Sequence, residues 1–482
     1  IMLGLVLAFK LPAYFGTAPL TGWDTGGHAH LSQFYLQLFA HGESVGYDPN
    51  WFGGFPAFYF YPPAFYFFAA QLHTLGAPER LAFHLTVFGG ILVFCYHYLR
   101  WFALFWPQRS DRLDPWLRAP LMLLLLCAYL GFAGDGLQGV SLIGVLNGTV
   151  VTIWGHAFCL ATLCAVERMR QNRGEPWRAV LWLSLLFYTH TLSSAFCYLL
   201  LIVYLFASRT AGPGFLRSMA LVFIVPLILA FPVLYNYFGY SAFINGRAIA
   251  QHYPALLSIL GVEFIQRIQR AAPGFNLDAL LHGIFWQGRW LILLLLAGAG
   301  YQLSRVLRLP RSARRRPLLV FGVLFPPLLL WLTQDTSLSF VLHPIGIHWY
   351  RLFDLFFAGL VLAGVLGIAH WLRALRQRQR AAAVCLAWAL GLAATIQLIV
   401  WDPIRHEAYK SLQLNEYPDD VGELSAFLET LPPGSLILPE KIRDKNFFGS
   451  PHAFDHFIQE AGHRNALGLT IESAETPSLS YA

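Results

Sequence analysis

Apolar residues run along this chain in long blocks, with no strand-like alternation and no single helical stripe. The blocks cover about 1–19, 81–106, 119–134, 148–166, 179–190, 192–208, 218–238, 289–304, 318–333, 351–372 and 381–400. About 20 consecutive apolar residues cross ~30 Å of hydrocarbon as a helix. The pattern therefore predicts an all-α polytopic membrane protein with about eleven transmembrane helices. Several blocks are short, which predicts hairpins, tilt or local thinning.

Polar positions orient these spans. Every alternate connection is rich in arginine: three in 107–118, four in 167–178, two in 209–217, six in 305–316 and four in 373–380. The positive-inside rule makes these loops cytoplasmic. The connections 20–80, 135–147, the turn near 190, 239–288 and 334–350 then face outward, with everything from 401. Residues 56–76 are apolar enough to span, but a span there would invert every later loop. The Pro62-Pro63 pair would also break it. They are predicted to form a helix that lies at the outer interface or re-enters the membrane.

Composition sharpens this picture. Of 482 residues, 56% are hydrophobic and only 12% charged, where a soluble domain is about a quarter charged. Residues 1–400 hold 27 Lys/Arg and 13 Asp/Glu, whereas 401–482 hold 6 and 13. The expected organisation is a membrane domain over 1–400, with an outer loop at 20–80 carrying interfacial helices. A small acidic, soluble α/β segment follows over 401–482, with a helix near 419–430 and a strand at Ser435–Leu438. The basic excess lies in short loops between spans, so it signals topology and no nucleic-acid partner. The six cysteines lie in or beside apolar blocks and read as small buried residues. The chain opens inside an apolar run without a basic leader and stops abruptly after Tyr481-Ala482, so truncation is expected at both ends.

Unusual polar residues gather on the outward side. Gly22-Trp23-Asp24-Thr25-Gly26-Gly27-His28-Ala29-His30 leads into an amphipathic stretch, Leu31–Phe39, suited to lying flat on a membrane. Tyr47-Asp48-Pro49-Asn50 and the aromatic run 55–68, with Tyr59 and Tyr61, follow. Ionisable groups at membrane depth are functional candidates. Asp24 sits among glycines beside an aromatic platform, yet Asp24 four residues before His28 would also pair the start of a helix. The Asp/His spacing admits a divalent cation such as Mg or Mn, but no residue is assigned as a metal ligand. His343-Pro344-Ile345-Gly346-Ile347-His348-Trp349-Tyr350-Arg351 suits phosphate oxygens, although an arginine there also serves as an interfacial anchor. His190 reads equally as a structural histidine or a site residue, and Arg247 is a further outward cation. The run 55–68 packs first and offers a substrate surface second.

An acid just beyond the first span, interfacial helices and a Pro-Pro-aromatic stretch before many short spans resemble the GT-C class of membrane glycosyltransferases. More narrowly, Trp23–His28, Asp48-Pro49-Asn50-Trp51-Phe52-Gly53-Gly54-Phe55-Pro56 and Phe60-Tyr61-Pro62-Pro63 look like the bacterial membrane proteins labelled "6-pyruvoyl-tetrahydropterin synthase-related". The motifs cover about the first 80 residues; the remainder agrees in layout, with Gly468–Ser473 similar to a tail motif. The resemblance implies an inverting transferase of the bacterial inner membrane, with an extracytoplasmic tail. It would move a sugar from a polyprenyl-phosphate donor to an acceptor not specified by the sequence. Asp24 matches the first-loop acid that acts as base, with His28 and Asp48 beside it as further catalytic candidates. Arg351, His343 and His348 are the expected phosphate partners, Arg247 is held in reserve, and His190, Tyr59 and Tyr61 complete the substrate-binding set. The chain departs from the commoner pattern: Thr follows Asp24, and no DxD triplet occurs. Two other readings stand beside the enzyme. A non-catalytic subunit of a membrane complex can keep a transferase fold. A lipid-linked-substrate transporter would show repeat halves and mid-membrane polar groups, and neither is visible.

Overall fold

The computed structural model describes residues 12–17, 25–50, 54–59, 61–106, 114–131, 142–146, 148–207, 212–239, 289–309, 353–375, 379–400, 418–438, 457–458 and 461–466. Within them the helices are α1 (Thr25–Ala40), α2 (Ala64–Thr74), α3 (Glu79–Phe105), α4 (Asp114–Leu130), α5 (Val150–Arg170), α6 (Pro176–Phe187) and α7 (Thr191–Ala207). They continue with α8 (Pro213–Leu229), α9 (Phe231–Gly239), α10 (Arg289–Arg308), α11 (Phe353–Ala374), α12 (Arg380–Val400) and α13 (Pro418–Glu429). Two small sheets complete the set. Antiparallel β1 (Gly46–Asp48) pairs with β2 (Phe55–Ala57), and parallel β3 (Leu436–Ile437) pairs with β4 (Arg464–Asn465).

Five helices are long and apolar enough to cross a bilayer, lying over 79–105, 150–170, 290–308, 357–374 and 380–400. Shorter apolar helices occupy Pro115–Leu130, Pro176–Phe187, Ser193–Phe206 and Pro213–Leu229. The chain is a multi-pass membrane protein. Leu221, Ile224, Leu227 and Ile228 stand exposed along α8, which costs nothing against lipid tails.

One predicted span differs in detail. Of the run 1–19 only 12–17 lies among the described residues, where Pro12–Phe15 forms a 3-10 turn. The run 218–238 divides at Ala230 into α8 and α9. Pro232 cannot donate to Ile228, and its ring crowds that carbonyl. The predicted span 318–333 lies outside the described residues.

Glycines set the closest helix crossings. A Cβ on Gly298 would strike the Gly364 carbonyl, and one on Gly367 would strike the Gly298 carbonyl. Small residues let α10 and α11 touch backbone to backbone, where lipid supplies no hydrophobic drive between helices. A Cβ on Gly391 would lie 2.6 Å from the Pro120 carbonyl, which brings α12 against α4 in the same way. Two side chains bridge helices inside the bundle: the Tyr98 hydroxyl donates to Ala358 O at 2.7 Å, and Trp154 Nε1–H donates to Thr86 O at 3.0 Å. Glu167, wholly buried, takes both Arg170 hydrogen bonds at 2.7 Å in an arginine-rich connection. Cys95, Cys127, Cys159, Cys164 and Cys197 are buried as expected, Cys385 is exposed, and all six are free thiols.

The segment 56–76 behaves as its prolines predict. Helix α2 begins directly after Pro62-Pro63 and has 11 residues, rising ~16 Å, about half a bilayer. Gly76, at φ +102°, turns the chain from α2 into α3. The Ala64 N–H donates to Tyr188 O at 2.8 Å, seating α2 on the turn between α6 and α7. Helices α1 and α2 with the β1–β2 hairpin thus form a layer at one end of the α3–α5–α6 bundle.

Candidate functional site

The site starts at the first turn of α1, which opens at Thr25, the residue after Asp24. Thr25, Gly26, Gly27, His28 and His30 are all buried there. His28 Nδ1 lies 2.8 Å from the Tyr66 hydroxyl on α2. Tyr61, half-buried, brings its ring centroid to 5.8 Å from that of His28 and 6.3 Å from that of Tyr66. Phe58 packs beneath, edge-on to Tyr35 at 5.0 Å and tilted against Tyr66 at 5.1 Å. Its backbone holds φ at +67°, a conformation that a bulky residue adopts only when its surroundings impose it. Burial raises the Tyr35 phenol above its ordinary value.

The second half of the site comes from the hairpin. Tyr47 pairs with Pro56 and Asp48 with Phe55, and the three-residue strands return Asp48 to α1. His30 Nε2–H donates to Asp48 Oδ2 at 2.5 Å. The Asn50 N–H donates to Asp48 Oδ1 at 2.9 Å, an Asx turn that Pro49 favours. Asp48 is wholly buried; its burial is sustained because each oxygen accepts a hydrogen bond and a cationic or polar partner faces it. Accepting from Nε2–H, the carboxylate fixes the orientation of the imidazole ring. Such a pair can orient a base or anchor a polar substrate group.

Of the predicted site residues, the structure brings His28, Tyr61 and Asp48 into this layer, with Tyr59 half-buried in the same segment. His190 joins through the α6–α7 turn. Its Nδ1 accepts from the Ser193 N–H at 3.3 Å and lies 2.7 Å from Ser193 Oγ, and Gly155 makes room for its Cβ. This geometry caps α7. Asp24, Arg247, His343, His348 and Arg351 lie outside the described residues. Two members were not legible. The sequence offers Tyr66 only as one aromatic among several, and His30 carries no mark of its pairing with Asp48. The Asp48-Pro49-Asn50 turn was the available signal for a fixed carboxylate. Among the described residues no group of three or more His, Cys, Asp or Glu side chains is placed to hold a metal ion.

No family model and no curated protein sequence matches the chain. Solved structures do. ArnT from Cupriavidus metallidurans in the apo state superposes with a TM-score of 0.53 at 14% identity, covering 95% of this chain and 84% of that one. The same protein bound to undecaprenyl phosphate gives 0.53 and 14%, covering 100% and 88%. The Archaeoglobus fulgidus oligosaccharyltransferase in complex with zinc and sulfate gives 0.52 and 14%, covering 96% of this chain but only 61% of that one. These neighbours are glycosyltransferases of GT-C type, and the fold is theirs.

Proposed function

We propose that this protein is a membrane glycosyltransferase that moves a sugar from a polyprenyl-phosphate donor to an acceptor at the outer face of the membrane. The observation that carries this reading is the whole-chain agreement in fold with ArnT, a protein captured with undecaprenyl phosphate. A buried Asp/His/Tyr layer stands in the connection where the sequence motifs lie. Within this reading the chain crosses the membrane about eleven times. The narrower kinship is with the "6-pyruvoyl-tetrahydropterin synthase-related" membrane proteins, and residues 401–482 form an extracytoplasmic soluble segment.

The chemistry follows from the donor. Asp24 takes the proton from an acceptor hydroxyl. The freed oxygen attacks the anomeric carbon in line, and the bond from that carbon to the phosphate oxygen breaks with inversion. The electron pair leaves on polyprenyl phosphate, so negative charge grows on its oxygens. Arg351, His343 and His348 meet that charge, with Arg247 in reserve. His28, oriented by Tyr66, and Asp48, paired with His30, shape the polar wall of the acceptor side. Tyr59 and Tyr61 offer ring faces to a sugar, and His190 holds the α6–α7 turn beneath them.

Native mass spectrometry of the protein with undecaprenyl phosphate tests the donor assignment. One lipid should be retained per chain, and Arg351→Ala should weaken retention about tenfold, the scale of one charge-assisted contact. Equal retention of a neutral polyprenol by the wild type would exclude a phosphate-reading site.

A further inference from the structure

We infer that the C-terminal segment is a positioning element for the Asp48–His30 pair, acting through the juxtaposition of Asn465 with Asn50. The strand β4 has partners on both sides. Arg464 N–H donates to Ser435 O and Ala466 N–H to Ile437 O, each at 2.9 Å, on the β3 side. Asn465 N–H points the other way and donates to Asn50 O at 2.9 Å. Asn50 in turn donates its own N–H to Asp48 Oδ1, and Asp48 Oδ2 accepts from His30. A continuous line of hydrogen bonds therefore runs from the tail to the imidazole, and Asn465 and Asp48 at its two key joints are both 0% exposed.

The physical need is plain. A two-stranded hairpin is marginal by itself, and β1–β2 has only three residues a side. Without Asn465, the turn carrying Asp48 is tied at one edge only. The tail strand is well held: Arg464 Nε–H donates to Gly434 O and His463 Nε2–H to Leu428 O, both at 2.8 Å. Leu428, Phe457 and Ile458 form a small apolar core of their own beside it. The segment thus offers the hairpin a rigid edge. The bonds also put the tail and the first loop on one side of the membrane domain. The inference relies on the transferase reading only in making this pair part of a working site.

The test uses the full chain in nanodiscs. Asn465→Pro removes the single N–H that reaches Asn50 and leaves the donors at 464 and 466 to hold β3. Asn465→Ala keeps the N–H and controls for the side chain. The readout is the downfield imidazole N–H proton of His30, identified by its disappearance in His30→Gln. Its exchange with water should be about tenfold faster in Asn465→Pro and unchanged in Asn465→Ala. Turnover should fall about tenfold in kcat with little change in KM, since small displacements of a positioned group cost rate. If Asn465→Pro loosened the whole tail, the His30 proton would still have to exchange faster. An unchanged proton in Asn465→Pro overturns the inference, with or without a slower kcat. A faster proton in a protein whose wild type transfers no sugar upholds the positioning and refutes the transferase reading.

Discussion

Replacing Asp48 with alanine removes two acceptors in one step and leaves two donors, His30 Nε2–H and the Asn50 N–H, facing the space. Asp48 is 0% exposed, so water cannot readily take its place. Breaking a buried pair by deleting one partner costs about 3–5 kcal/mol, because the other is stranded. Asp48→Asn should cost only about 1–2 kcal/mol. Its carbonyl still accepts from Asn50, and its amide can donate to an imidazole of the other tautomer. His30→Gln combined with Asp48→Ala should cost less than the two changes separately, with a coupling of at least about 1.5 kcal/mol. Reversible unfolding by SDS titration in mixed micelles measures the wild type and the four variants. Additivity of the two single changes within about 0.5 kcal/mol would refute the pair.

Further consequences follow from the aromatic layer and the glycine crossing. Phe58→Ala should lose about 3–5 kcal/mol of packing, whereas Phe58→Gly loses the same ring but relieves about 1–3 kcal/mol of backbone strain at φ +67°. Glycine should therefore be the more stable of the two in thermal unfolding, and the reverse order would refute backbone strain at Phe58. Gly367→Ala drives a methyl into the Gly298 backbone and should cost about 1–3 kcal/mol, while Gly300→Ala, with nothing within 4 Å of the added carbon, should be neutral or better in the same scan. The Tyr35 phenol is raised above 10.0 by burial, so its stabilising contribution is full below that pH and is lost as pH climbs through the folded value. Tyr35→Phe should flatten the decline in unfolding midpoint between pH values on either side of about 10.

The helices were largely legible because a membrane span needs only apolar length. The blocks 81–106, 148–166 and 381–400 reappear as α3, α5 and α12 with ends shifted by a few residues. Pro62-Pro63 located the start of α2, and the helix near 419–430 and strand near 435–438 appear as α13 and β3. The division at Ala230 was missed because apolar content masks a backbone event caused by one proline. The site was legible by residue but not by partner. His28, Asp48 and Tyr61 stand out as polar or amphipathic groups in a connection that the arginine pattern predicts to face outward, whereas the His30–Asp48 and His28–Tyr66 bonds join residues 18 and 38 positions apart. Those bonds depend on where the hairpin and α2 return. The tail contact at Asn465 is further still from any local pattern, since a backbone N–H leaves no trace in residue identity.

Sugar transfer from a lipid-linked donor with Asp24 as the base is tested by polyprenyl-phosphate release from a panel of polyprenyl-phosphate sugars by the purified protein in nanodiscs, comparing wild type with Asp24→Asn. The wild type should release polyprenyl phosphate, and the folded variant should lose that release by at least about 10²-fold. No release from any donor, with and without divalent cation and with cell-extract acceptors supplied, would contradict it and leave a transferase fold serving as a non-catalytic membrane subunit.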